Sequence, residues 1–231
     1  MNLRLPGVSL KQPSFDWRRL TTLSAMLFVI VAVGAGCATS FKYRSDYAHS
    51  FSPMAGEQGL AIRTGQDARP MEERQPAWAA DAEKIVARAL ADEVKHAKLV
   101  RRVKIHADAA NPKKYPLAIA FRVEKFECHN QAAFLEGTGR TLLELQGIRG
   151  ALIAESIPSK YISEVQVDFE VSDVATGQSF LTKTYSAMRT ERLNGYQGEN
   201  AKVLLTSGAL EEVVTQFLSD LTKVHSGEHS H

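Results

Sequence analysis

The hydrophobic positions of this chain follow two rhythms, and their order along the sequence outlines a fold. Between Tyr161 and Val171, the apolar residues Val165, Val167, Phe169 and Val171 alternate with Glu164, Gln166, Asp168 and Glu170. A two-residue period puts one set of side chains on a core and the other in water, which predicts a strand of an antiparallel sheet. Asp173-Val174-Ala175-Thr176-Gly177 then reads as a turn, with Asp to bond nearby backbone and Gly to supply positive φ. Gln178 to Ala187 returns, so the two strands form a hairpin. Tyr115 to Glu127 also alternates, through Leu117, Ile119, Phe121 and Val123, but Phe126 falls on the opposite parity. One extra residue would restore the pattern, which predicts a bulge near Lys125. Shorter strands are expected at Leu60–Arg63 and Leu99–His106, and a charged loop bounded by prolines at Asp67–Pro76.

Two segments carry the helical period instead. From Ala77 to Lys98, Trp78, Ala82, Ile85, Ala89 and Val94 recur near three-to-four spacing, with Val86 and Leu90 widening the stripe. Asp81 and Glu83 near its start and Lys95, His96 and Lys98 at its end suit the helix dipole. From Asn200 to Val224, Leu204, Leu210, Val213, Val214, Phe217, Leu218 and Leu221 form the apolar face, leaving Glu211, Glu212, Gln216, Asp220 and Lys223 outside it. An early helix, a run of strands and a late helix predict an α+β fold, with two long helices packed on an antiparallel or mixed sheet. Gly137–Pro158 sits between the two longest strands and is apolar, with Leu142, Leu145, Ile148 and Leu152 at helical spacing. Two readings stand side by side: a helix covering the sheet, or a segment that contacts a partner or a second copy of the chain.

The N-terminus does not fit this domain. Arg4, Lys11, Arg18 and Arg19 face a single acid, Asp16, and from Leu20 to Phe41 there is no charged residue at all. The apolar run Leu20–Val33 ends in Gly34-Ala35-Gly36, followed by Cys37. A basic head, an apolar middle and small residues at a cut site describe a secretory signal. A membrane-spanning helix needs about 20 apolar residues, more than this run supplies before its glycines. Gly34-Ala35-Gly36-Cys37 resembles the lipobox of bacterial lipoproteins, departing from it at Gly34, where Leu is usual. The resemblance implies cleavage after Gly36 and diacylglycerol on the Cys37 thiol, with further acyl chains such as palmitate. Ala38 after the lipidated position then implies sorting to the outer membrane. An uncleaved anchor and ordinary cleaved secretion are the alternatives. The expected organisation is a signal over 1–36, a lipid-anchored tether over 37–58, one α+β domain over 59–224 and a polar, His-containing tail over 225–231.

Charge changes meaning once the signal is removed. The whole chain has 28 basic and 26 acidic residues, but the mature part keeps 24 and 25. That balance gives no electrostatic reason to expect a nucleic-acid partner. The two cysteines are Cys37 and Cys128, so a lipidated Cys37 leaves Cys128 without a disulfide partner in its chain.

The search for chemistry returns little. Cys128-His129 is an adjacent thiol and imidazole, but neighbours on a strand point to opposite faces, so a packed free cysteine competes with a nucleophile. His225, His229 and His231 form no compact ligand spacing. No phosphate-binding glycine loop, zinc-protease or serine-hydrolase motif occurs, and no cofactor or metal is expected.

The Cys37 lipobox, the Ala79–Ala97 helix and the Val165–Tyr185 hairpin with Asp173, Thr176 and Gly177 together resemble small envelope lipoproteins. Among these are ABC-transport auxiliary lipoproteins and the N-terminal domain of the curli-secretion lipoprotein. The resemblance implies a periplasm-facing, outer-membrane-anchored, non-catalytic accessory or structural subunit of an assembly or transport complex. Its partners would be the membrane, through Cys37, an envelope protein, and a possible second copy of the chain. The competing expectation is a lipid-anchored hydrolase or small-ligand-binding protein, with a pocket near Cys128 and residues 137–158.

Overall fold

In the computed structural model, the alternating runs become the longest strands. The structure describes residues 41, 43, 51, 59–74, 77–131, 158–194 and 198–226, all of which fall in one compact unit, Thr39–His231. In chain order the elements are β1 (Leu60–Ile62), β2 (Gln66–Asp67), α1 (Ala82–His96), β3 (Val103–Ile105), β4 (Leu117–Asn130), β5 (Ser159–Asp173), β6 (Ser179–Leu193) and α2 (Gly198–Ser226). Short 3-10 turns at Met71–Arg74 and Ala77–Ala79 lead into α1. The fold is α+β, with one mixed sheet ordered β3-β1-β4-β5-β6 and β2 paired to β4. β1 is parallel to β3 and β4, while β4, β5 and β6 are antiparallel.

The alternation decides which face is covered. Val165, Val167, Phe169 and Val171 of β5 are buried beside Leu117, Ile119, Phe121 and Val123 of β4. The register then shifts between Val123 and Lys125, the expected bulge, and Phe126 returns to the core opposite Val165. Both helices pack on this face. Phe169 stacks on Phe217 of α2 with ring centroids 4.2 Å apart, and Tyr185 of β6 meets Phe217 edge-on at 5.7 Å. A smaller cluster of Ala61, Ala107 and Ala118 closes the opposite face around β1.

The turn chemistry follows the sequence closely. Asp173 Oδ1 accepts from the Thr176 backbone N–H at 2.7 Å and its hydroxyl at 2.9 Å, and Gly177 takes φ 71°. α1 ends less predictably. Lys98 adopts φ 52°, a position where glycine is usual. The Leu99 N–H reaches the Val94 carbonyl at 3.2 Å and that of Lys98 reaches Lys95 at 3.1 Å. Both bonds satisfy carbonyls of the last turn, while Leu99 and Val94 are buried.

Four expectations need correction. The first helix is α only from Ala82, because Ala77–Ala79 winds as a 3-10 turn. The strand expected at Leu99–His106 shrinks to Val103–Ile105, since its first residues close the helix. On α2, Leu204 is 57% exposed and Glu211 only 3%, the reverse of the expected face. These residues are seven apart and share almost the same side of the helix, so burial is decided by what lies across from each level. Near Glu211 that is α1 and Tyr43. Finally, α2 continues through His225 and Ser226, into the stretch expected to be tail.

Candidate functional site

The segment expected to be a free tether supplies the most informative contacts. Phe41, Tyr43 and Phe51 are half-buried and pack against the core, and residues 41 and 43 form no strand. Phe41 stacks on Trp78 at 6.1 Å and meets Phe126 at 5.4 Å, with Trp78 and Phe126 themselves 6.3 Å apart. The three rings join the chain just after residue 37 to the turn before α1 and to β4. Trp78 Nε1 donates to Glu199 at the start of α2, and Lys202 Nζ pairs with the same carboxylate at 3.0 Å.

Farther along, the Tyr43 hydroxyl donates to Glu93 Oε1 at 2.9 Å. Burial, then the negative charges of Glu93, Glu211 and Asp92, raise the phenol far above its usual range. Glu93 and Glu211 are both buried. Tyr43 thus gives a buried acid of α1 a donor from the N-terminal segment, which ties that segment to the helix pair.

Beneath this end lies a buried ion pair. Arg69 is 2% exposed and grips Asp67 by two bonds, Nε to Oδ1 at 2.9 Å and Nη2 to Oδ2 at 2.7 Å. Its remaining donors reach the carbonyls of Phe126 at 2.9 Å and Ala79 at 2.7 Å, and its guanidinium lies 5.8 Å from the Phe126 ring centroid. Burial alone would raise the Asp67 carboxyl, but the hydrogen bonds and charge of Arg69, with Arg74 beyond, hold it below the usual value. The pair clamps the loop before α1 onto the bulged half of β4.

Cys128 and His129 diverge, as neighbours on a strand must. The bulge turns Cys128 toward the core beside Thr206 and Lys202, while His129 is exposed. Burial is the main influence on the thiol, pushing it up to about 11. A thiol protonated at neutral pH, with its neighbouring imidazole on the other face, is not an activated nucleophile.

Two open grooves are lined by described residues. One of about 440 Å³ crosses the outer face of the sheet past Arg63, Thr64, Asp108, Arg122, Asp168 and Glu170. Asp108 accepts from Thr64 N–H at 2.8 Å and its hydroxyl at 2.7 Å, Asp168 accepts from Thr184, and Arg122 pairs with Glu124. The other, of about 370 Å³ between β6 and α2, holds Asp220 between Lys183 at 2.7 Å and the Tyr185 hydroxyl at 3.1 Å. Arg63 apart, the charged groups named here are engaged by bonds to neighbouring residues. Among the described residues no cluster of His, Cys, Asp and Glu has metal-binding geometry, and no helix is long and apolar enough to cross a membrane.

The proposed lipidation residue Cys37, the cleavage residue Gly36 and the candidate contacts Leu142, Leu145, Ile148 and Leu152 lie outside the described residues. Sequence reasoning missed the docked aromatics, the Arg69–Asp67 pair and the buried Glu93. Phe41, Tyr43 and Phe51 did carry a signal, as large rings in an otherwise polar stretch; Arg69, Asp67 and Glu93 carried none.

Neither a protein-family model nor a curated protein matches the chain. Among solved structures, a Xanthomonas campestris protein of the DUF330 family aligns over 77% of this chain and 91% of its own, at 12% identity and a TM-score of 0.43. PelC from Paraburkholderia phytofirmans, a dodecamer, aligns over 74% and 93% at 16% identity, with a TM-score of 0.37. Rare lipoprotein B from Shewanella oneidensis aligns over 74% and 100% at 12% identity, with a TM-score of 0.40. Likenesses this distant assign no activity to the chain.

Proposed function

We propose that the chain is a lipoprotein of the bacterial envelope. It is anchored to the outer membrane through acyl chains on Cys37, faces the periplasm, and serves without catalysis as an accessory or structural subunit of an assembly or transport complex. The observation that carries the reading is the charge-free stretch from Leu20 to Phe41, ending its apolar run in Gly34-Ala35-Gly36-Cys37. The docked Phe41, four residues beyond Cys37 in sequence, supports it, because the folded domain then begins close along the chain to the proposed anchor. Attached acyl chains contribute about 0.8 kcal/mol per buried CH₂, and two or more make attachment lasting.

In this reading the work is done by surfaces. The segment with Leu142, Leu145, Ile148 and Leu152 joins β4 to β5, whose paired ends Asn130 and Tyr161 lie beyond Phe126 on the side away from the Asp173 turn. A contact there would place an envelope partner, or a second copy, near the membrane. The hydrolase alternative gains no support from the half-buried Cys128 thiol, which burial pushes up to about 11.

Replacing Cys37 by Ser tests the anchor. Growth with a fatty-acid analogue labels the parent and not Cys37→Ser, which stays unprocessed or becomes soluble. Equal label on both proteins refutes the reading, and recovery of the mature parent with inner membranes refutes the outer-membrane placement.

A further inference from the structure

The folded domain is held close to its proposed anchor, and the hold has a direction. Phe41 rests on Trp78 and Phe126, and Tyr43 is bonded to Glu93, so residues 41 and 43 form a strap fixed to the domain. Cys37 precedes Phe41 by four residues, and an extended chain spans at most about 3.6 Å per residue, so a lipid there attaches within roughly 14 Å of Phe41. The sheet has two unlike ends. Phe126 pairs with Val165, whereas the Asp173 turn lies eight residues farther along β5, about 26 Å at strand rise.

The near end also presents an unpaired apolar side chain. Met71 is 83% exposed, in the turn whose Glu73 carbonyl and the Phe126 carbonyl are both reached by Arg69. A flexible thioether suits the boundary between headgroups and acyl chains. The charges around it are not one-signed: Lys125 pairs with Glu164, Lys202 with Glu199 and Arg74 with Asp67, while Glu72 and Glu73 are exposed. Attraction to anionic lipid therefore contributes little, and the strap sets the orientation.

We infer that the end of the sheet bearing Phe41, Trp78, Phe126 and Met71 is the face this domain turns to a lipid surface, with the Asp173–Gly177 turn directed away. The inference rests on the lipid-anchor reading above. It is tested on the full chain, processed and lipidated in cells, with Cys128 replaced by Ala so that a single introduced thiol takes a fluorophore. Met71→Cys labels the near end and Ala175→Cys the far turn. The proteins are reconstituted in phosphatidylethanolamine and phosphatidylglycerol vesicles containing a headgroup nitroxide quencher. The expected result is several-fold stronger quenching at position 71 than at 175, unchanged by added salt. Adding Phe41→Ala and Tyr43→Ala should erase the difference while the protein still floats with the vesicles. Equal quenching at both positions in a strap-intact protein that floats overturns the orientation and leaves the anchor standing. Failure of that protein to float overturns the anchor, and the orientation with it.

Discussion

Replacing Arg69 by Met tests how much of the fold depends on one buried cation. The guanidinium makes two bonds to Asp67 and one each to the carbonyls of Phe126 and Ala79, with a longer one to that of Glu73. Met fills much of the same volume, so a cavity adds little. The cost arises from Asp67, whose carboxylate, 7% exposed, keeps its charge and loses its main partner. Removing one member of a buried pair costs about 3–5 kcal/mol. Arg74 Nε stays 3.7 Å from Asp67 Oδ2, but is 42% exposed and recovers only part of this. A loss of about 3 kcal/mol is expected, read as a lower urea midpoint at unchanged slope. The double variant Arg69→Met/Asp67→Asn should be milder than Arg69→Met alone, because no lone charge is left behind. The pH dependence has a fixed sign. Asp67 is held below its ordinary value, so its contribution is complete above about pH 4 and disappears as pH falls through the lower, folded-state value. Without Arg69, burial raises the Asp67 carboxyl of the variant, so the gap between parent and Arg69→Met should narrow as pH falls, beginning where the variant's Asp67 takes up a proton and ending as the parent's lowered carboxyl titrates. A loss under about 1 kcal/mol, or a double variant as unstable as the single one, would refute the account of a buried charge held by Arg69.

Three further outcomes are expected. Cys128, with its thiol pushed up to about 11 by burial, should react slowly with iodoacetamide at neutral pH and faster as pH rises toward that value. Cys128→Ala should keep function and lose no more than about 1–2 kcal/mol; a folded but inactive variant would revive the enzyme reading. For the segment between β4 and β5, thermal melting and envelope pull-down of Leu145→Asp and Ile148→Asp separate its two roles. Loss of several kcal/mol marks a cover packed on the sheet, whereas an unchanged melting point with lost capture marks a partner contact. Stable variants that keep every partner would exclude the segment from recognition.

What the sequence determined by itself was whatever depends on local period. The alternation through Phe169 and Val171, the parity change before Phe126 and the Asp173–Gly177 turn were legible because strand faces and turns are set by neighbours a few residues apart. The helix stripes were legible for the same reason. Tertiary structure alone decided matters that depend on what lies opposite. Glu211 and Leu204 share a side of α2, yet only Glu211 is covered, because α1 and Tyr43 come across at its level. Arg69 looked like a loop residue until Asp67 and two distant carbonyls closed around it. Phe41 looked like part of a tether until Trp78 and Phe126 met its ring. Apart from the Arg69–Asp67 pair, only two residues apart, these contacts join separate elements, and local patterning carries no record of such partners. Period fixes which face of an element is apolar; only the assembled fold fixes what that face, and the charges beside it, will touch.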